Sequence, residues 1–297
     1  KKSNDEPLVL NNQKQVRWVS LSPDGETLAT VSQQQPTVKL WNLKGELVQT
    51  LSGHQKPVNA VEFSPTGMIA SGSEDRTVKL WQPDGSLIDT LNLDDPVVSI
   101  RFNALGNQMA TATSDSTGSA ILLWSSQKAG WQSRRILSYP NQTINEISYT
   151  PKEGLLAIAV DRQVVLWSPS RGASCPLKHQ AIVRGVDFHP NGTLIASASD
   201  DKKVRLWQLD RQQLWPVDGN CSAHKETEAF YTLDQDVFLN SVYFDPDGKL
   251  LAIAREDGTT ILWNMQGFQL GYQIRAGCLW LNDYLQTHSS DEQNRTP

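Results

Sequence analysis

Six of the ten tryptophans, Trp41, Trp81, Trp124, Trp167, Trp207 and Trp263, close short apolar runs at spacings of 40, 43, 43, 40 and 56 residues. That period fixes what the chain can become. Arrays built from helical or leucine-rich units repeat every ~20–34 residues, whereas a unit of about 40–45 residues has room for four short strands and their turns.

Residues 52–81 are the best-formed copy. Val58, Val61 and Phe63 mark one apolar strand, Ser64-Pro65-Thr66-Gly67 a turn, and Met68 to Ser73 a second strand. Glu74-Asp75-Arg76 turns the chain into a third strand, 77–81, and Ser86 to Leu91 follow the Pro83-Asp84-Gly85 turn as a fourth. Proline pre-sets φ and glycine permits positive φ, so turn chemistry and strand pattern agree. The first-strand apolar anchor recurs as Leu21, Phe63, Phe102, Tyr149, Phe188 and Phe244, each followed by a turn: SPDG at 22–25, SPTG at 64–67, NALG at 103–106, TPKEG at 150–154, HPNG at 189–192 and DPDG at 245–248. Four short antiparallel strands repeated around a centre make a β-propeller.

With these residues quoted, the chain resembles the WD-repeat (WD40) family over roughly 8–267. The expected fold is all-β, a propeller of four-stranded antiparallel blades with six visible, or seven if the chain is truncated, and a short C-terminal helix. The expected divisions are a polar leader at 1–7, blades at about 16–51, 52–91, 92–138, 139–178, 179–217 and 237–267, and Leu8–Leu10 as closing strand. An amphipathic helix is expected at 268–287, where Leu270, Ile274, Cys278, Leu281 and Leu285 recur at helical intervals, and a disordered tail at 288–297. Two features are expected to protrude: the small-residue turn Ser114 to Ser119, and an insertion at 218–236 following an outer strand near Gln213–Val217.

Charge and cysteine content narrow the partners. The formal net charge of −5, from 27 basic and 32 acidic residues, argues against a nucleic-acid backbone as ligand. No apolar run is long enough for a membrane span or a signal peptide. Cys175, Cys221 and Cys278 show no metal-ligand spacing and read as reduced thiols of a cytoplasmic protein. The five histidines show no HxH or HExxH pattern, so no metal and no cofactor are expected.

The resemblance implies a structural tetrad in which a His, a Ser or Thr, an Asp and the third-strand Trp hydrogen-bond across a blade. Two sets are complete: His54, Ser71 or Ser73, Asp75 and Trp81, with Ser73 preferred; and His179, Ser197 or Ser199, Asp201 and Trp207, with Ser199 preferred. The same trio repeated in two blades, each tied to a Trp, reads as structure rather than catalysis. No catalytic residue is assigned.

By position, the residues ringing the channel on one face are Arg17, Asn59, Glu74, Val98, Asn145, Val160, Ile182, Arg184, Asp200, Phe238, Asn240 and Glu256. They mix apolar anchors with arginines, the chemistry of binding hot spots. The reading is a recognition platform for a protein or peptide. The C-terminal RAGCLWLNDYLQTH resembles the segment closing WD-repeat arrays in bacterial STAND-type signalling proteins, which implies an effector domain upstream. The alternative is a propeller enzyme with Glu62, Arg101, Asp187 and Tyr243 in the channel.

Overall fold

The computed structural model describes residues 16–128, 130–150, 154–209, 214 and 229–265. They form six antiparallel sheets arranged as the blades of a propeller. Blade one is β1 (Val16–Leu21), β2 (Thr27–Ser32), β3 (Thr37–Asn42) and β4 (Leu47–Ser52); blade two is β5 (Val58–Phe63), β6 (Ile69–Ser73), β7 (Thr77–Trp81) and β8 (Leu87–Asn92). Blade three comprises β9 (Val97–Phe102), β10 (Gln108–Asp115), β11 (Gly118–Gln127) and β12 (Gly130–Pro140).

Blade four contains β13 (Ile144–Tyr149), β14 (Leu156–Val160) and β15 (Gln163–Ser168), with an outer strand split into β16 (Gly172–Ala173) and β17 (Leu177–Lys178), both paired to β15. The split falls at Pro176, which has no N–H to give the ladder. Blade five is β18 (Val183–Phe188), β19 (Leu194–Ser199), β20 (Lys203–Gln208) and β21 (Tyr231–Asp234); blade six is β22 (Leu239–Phe244), β23 (Leu250–Arg255) and β24 (Thr260–Asn264), three strands among the described residues.

The strands close on themselves where the sequence places turns, and each anchor opposes the start of the next strand, as in Phe63↔Ile69 and Phe188↔Ile195. Burial follows. The first and second strands of blades two to five have apolar residues buried on both faces, because each sheet is sandwiched between two others. The inter-blade cores are continuous: Ala29, Val31, Val38 and Leu40 of blade one pack on Val58, Val61 and Phe63 of blade two.

Three expectations change. Residues 114–119 are not a loose loop: Asp115 pairs with Gly118, so β10 and β11 run up to a two-residue turn and blade three is simply taller. Gly118 permits this, since a Cβ there would strike the Tyr139 carbonyl of β12. The outer strand of blade five is β21, inside the stretch expected to be an insertion, and it pairs with β20 through Leu206↔Tyr231 to Lys203↔Asp234. Cys175 is disulfide-bonded rather than a free thiol; its partner lies outside the described residues. There the backbone is held by Cys175 N–H donating to Leu214 O at 2.9 Å. The polar leader, the Leu8–Leu10 strand, the 268–287 helix and the tail also lie outside the described residues.

Candidate functional site

The polar groups fall into three layers: tetrads within blades, a buried ring on the innermost strands, and a rim. In blade two, His54 Nδ1–H donates to Asp75 Oδ2 at 2.9 Å, Ser71 Oγ lies 2.8 Å from His54 Nε2, and Trp81 Nε1–H donates to Ser71 Oγ at 2.9 Å. In blade five, His179 Nε2 is 2.9 Å from Ser197 Oγ, which accepts Trp207 Nε1–H at 2.7 Å. The tetrad serines are therefore Ser71 and Ser197, not Ser73 and Ser199. Those two instead donate to the carbonyls of Lys56 and Pro57, and of Ala181, and accept the amides of Asp75 and Asp201.

Register explains the choice. Trp81 opposes Ile69 and Trp207 opposes Ile195, and each indole reaches the hydroxyl two residues further along, on the same face. The rule extends to blades without a tetrad His: Trp41 donates to Thr30 at 2.9 Å and Trp124 to Thr111 at 3.0 Å. In blades four and six the same position holds Ile158 and Ile253, which have no hydroxyl.

The two tetrads hold their histidines in opposite tautomers. Arg205 Nη1 donates to His179 Nδ1 at 2.7 Å and to Asp201 Oδ2 at 2.7 Å, so His179 must carry its proton on Nε2. Burial, reinforced by the Arg205 cation, pushes the His179 pKa down to about 3. His54 is also lowered by burial, against the pull of Asp75.

Closer to the axis, side chains of one blade capture the backbone of the next. Ser20 Oγ accepts Phe63 N–H at 3.0 Å, Glu62 Oε1 accepts Phe102 N–H at 3.3 Å and Asp187 Oδ2 accepts Phe244 N–H at 2.9 Å. In each case the residue before one anchor binds the amide of the next anchor. Asn59 and Asn145 donate to the carbonyls of Val97 and Val183, both at 2.9 Å, one step further up the strands.

At the centre, Arg101 bridges Glu62 at 3.0 Å and Glu146 at 2.9 Å and lies over the Trp18 ring at 4.6 Å. Glu146 also accepts Ser241 Oγ–H and Tyr243 O–H, both at 2.8 Å, and Val186 N–H at 3.3 Å. Three buried acids surround one cation. Burial pushes Glu62 up to about 6 and Glu146 up to about 7, against the pull of Arg101, and it also raises Asp187 and Tyr243. Glu62, Arg101, Asp187 and Tyr243 thus converge, but every one is engaged across blades.

Glu146 and Ser241 were not singled out from sequence. Both stand three residues before their anchors, where blade five has Gly185, and only a glycine there leaves room for the Glu146 carboxylate to reach blade six.

The twelve rim candidates separate. Val160 is fully buried in the core between blades and offers nothing to a partner; Asn59 is buried and Asn145 half-buried, each with its amide spent on the next blade. Val98 is half-buried against the same core, Glu74 is half-buried with its amide bonded to Pro57 O, and Arg17 is exposed on blade one.

The remaining six gather on blades five and six. Arg184 forms a bidentate pair with Asp200, closest at 2.7 Å, while the amides of Asp200 and Glu256 bond to the carbonyls of Ile182 and Phe238. Asp200 chiefly, and Glu256 through its charge, hold the Arg184 guanidinium firmly protonated. Asn240 Nδ2 donates to Arg255 O at 3.2 Å. Phe238 is 45% exposed, and Lys202 stands 5.1 Å from its ring while donating to Asp236 O. Lys202 was missed because its link to Phe238 exists only once the two sheets stack.

Among the described residues, no group of three or more His, Cys, Asp or Glu is placed to hold a metal ion.

Comparison with known proteins follows the same geometry. The WD domain, G-beta repeat family matches residues 45–82, 175–208 and 229–264, spanning β4–β7, β17–β20 and β21–β24. The chain is 25% identical over 252 residues to Protein HIR1 of Mycosarcoma maydis, covering 80% of this chain and 21% of that protein. It is 25% identical to Apoptotic protease-activating factor 1 of Danio rerio (86% of this chain, 20% of that protein) and 27% identical to the beta subunit of the guanine nucleotide-binding protein of Zea mays (77% and 60%). The chain thus spans from a fifth to three fifths of the length of these eukaryotic relatives. It carries WD-type repeats and folds as a β-propeller of six described blades.

Proposed function

We propose that this propeller is a non-catalytic recognition platform that seats a protein or peptide on the rim of blades five and six. One observation carries the reading: exposed apolar side chains, Ile182 on blade five and the half-exposed Phe238 on blade six, stand in equivalent positions before the first strands of neighbouring blades, with Lys202 of blade five at the Phe238 ring and the oriented Arg184–Asp200 pair within reach of the Glu256 charge. An aromatic anchor with a pre-oriented arginine is the chemistry of interface hot spots. The platform reading is favoured over an enzyme because the polar groups of the channel are spent on neighbouring blades and their charges are buried. Two similar proteins are by name components of assemblies, one of Chromatin assembly factor 1 of Mus musculus and the other of the maize guanine nucleotide-binding protein.

An attached domain is part of the proposal. Apoptotic protease-activating factor 1 keeps its similar stretch within a much longer chain, which parallels the effector-linked arrangement implied by RAGCLWLNDYLQTH; a bacterial signalling role rests on that segment alone. The disulfide at Cys175 favours an oxidising compartment over the cytoplasm.

The test is partner capture by wild type and by the Arg184→Ala/Phe238→Ala double variant, with Leu105→Ala, an exposed apolar residue in the blade-three turn, as control. The double variant should lose about ten-fold or more in affinity for any partner that wild type binds, while the control binds normally. Equal affinity of the double variant would remove the rim from consideration.

A further inference from the structure

The ring of described blades carries an uncovered cleft. Innermost strands pack closely in the series β1–β5–β9–β13–β18–β22, but β22 and β1 are not among the closely packed pairs. Both walls of that break are apolar and open. On blade one, Val16, Val19 and Leu21 occupy the positions of Val58, Val61 and Phe63, the face that packs on the preceding blade; Val19 is 52% exposed where Val61 is 0%. On blade six, Leu262 holds the position of Leu206, the face toward the following blade, and is 65% exposed where Leu206 is 0%. Leu250 is exposed beside it, and β24 is the last strand of its sheet among the described residues.

We propose that residues 268–285 of the same chain occupy this cleft, covering Leu250 and Leu262 on one wall and Val16, Val19 and Leu21 on the other. The chain itself supplies the argument. It enters the described structure at Val16, on one wall, and leaves β24 on the other, with Met265 fixed by its amide donating to Lys249 O at 2.7 Å. Residues 268–285 begin three positions later and carry Phe268, Leu270, Ile274, Leu281 and Leu285, whereas 288–297 are polar. A segment tethered at the lip of an apolar cleft has an effective concentration on the order of millimolar, well above that of a second molecule in ordinary solution. The surface is separate from the rim of blades five and six, and the proposal stands whether or not that rim binds a partner.

Hydroxyl-radical footprinting reads side-chain cover directly. In the intact chain, Val19 should label within about two-fold of Val61, and Leu262 within about two-fold of Leu206. In a Leu281→Asp/Leu285→Asp variant both should rise about ten-fold, with Val61 and Leu206 unchanged. A photo-cross-linker in place of Leu262 gives a second readout that needs no destabilising change, and it should join peptides within 268–285 of the same molecule. Labelling of Val19 and Leu262 at the rate of exposed residues in the intact chain would overturn the proposal. So would protection that disappears on dilution, or cross-links formed only between molecules, which would assign the cleft to a second copy.

Discussion

Replacing Gly185 with alanine tests whether the stacking of blades five and six is set by the close approach of Glu146. An ideal Cβ at position 185 falls 2.6 Å from Ser241 Cα, 2.7 Å from Ser241 Oγ and 3.0 Å from Glu146 Oε2. The first of these is backbone and cannot swing away. Restoring ordinary contact at about 3.5 Å requires blade six to retreat by roughly 1 Å along its first strand.

Overpacking of that kind costs about 1–3 kcal/mol. The retreat also stretches the Ser241–Glu146 bond, a hydrogen bond to a charged group worth about 1.5–3 kcal/mol. The total is about 3–5 kcal/mol, and at roughly 2–4 °C per kcal/mol for a domain of this size the melting temperature should fall by about 6–20 °C. Gly192→Ala is the reference: nothing lies within 4 Å of a Cβ there, so it reports only the cost of an alanine at φ +76°, about 1–2 kcal/mol. Calorimetry of the three proteins decides it. A Gly185→Ala chain that melts no lower than Gly192→Ala would refute the stacking argument.

The buried ionisable groups predict pH slopes of opposite sign. His179, held near 3 when folded and near 6.5 when unfolded, gives stability that is present above pH 6.5 and lost as pH falls, about 2 kcal/mol between pH 6.5 and 5; His179→Gln should abolish that loss in urea titrations. Glu146, raised from 4.5 to about 7, gives stability that is full below pH 4.5 and declines by about 3 kcal/mol as pH climbs to 7. Glu146→Gln should flatten that decline, and an unchanged slope between pH 6.5 and 7.5 would count against it. The disulfide at Cys175 predicts that the denatured, unreduced chain titrates with one thiol and the reduced chain with three; three before reduction would contradict it.

The blades themselves were legible because two marks repeat at fixed offsets, an apolar anchor before a Pro/Gly turn and a tryptophan closing the third strand. Choices between residues of the same face were not. Ser71 and Ser73 are both small, buried and on one side of β6, and only the cross-strand pairing of Trp81 with Ile69 decides which one the indole reaches. Glu146 was invisible for another reason: its partners lie 40 to 97 residues away, and its reach depends on an absent side chain at Gly185. Val160 read as a rim residue because it precedes the turn, but it ends a strand whose five residues are all buried. The outer strand of blade five was misplaced because outer strands carry the weakest pattern, with one edge facing away from the sheet and little burial to impose alternation. The largely exposed residues of β21 illustrate this.

The matched stretches run from one sheet's outer strand to the next sheet's tryptophan, so the unit written in the gene is offset from the unit that folds. That offset determines where the polypeptide tolerates being re-cut. New termini in the Gln82–Ser86 turn would split a sheet and leave β8 to find its place from the far end of the chain. New termini between Leu93 and Pro96 would separate whole sheets. For anyone grafting this ring onto another protein or opening it to insert a reporter, the joints lie after the outer strands.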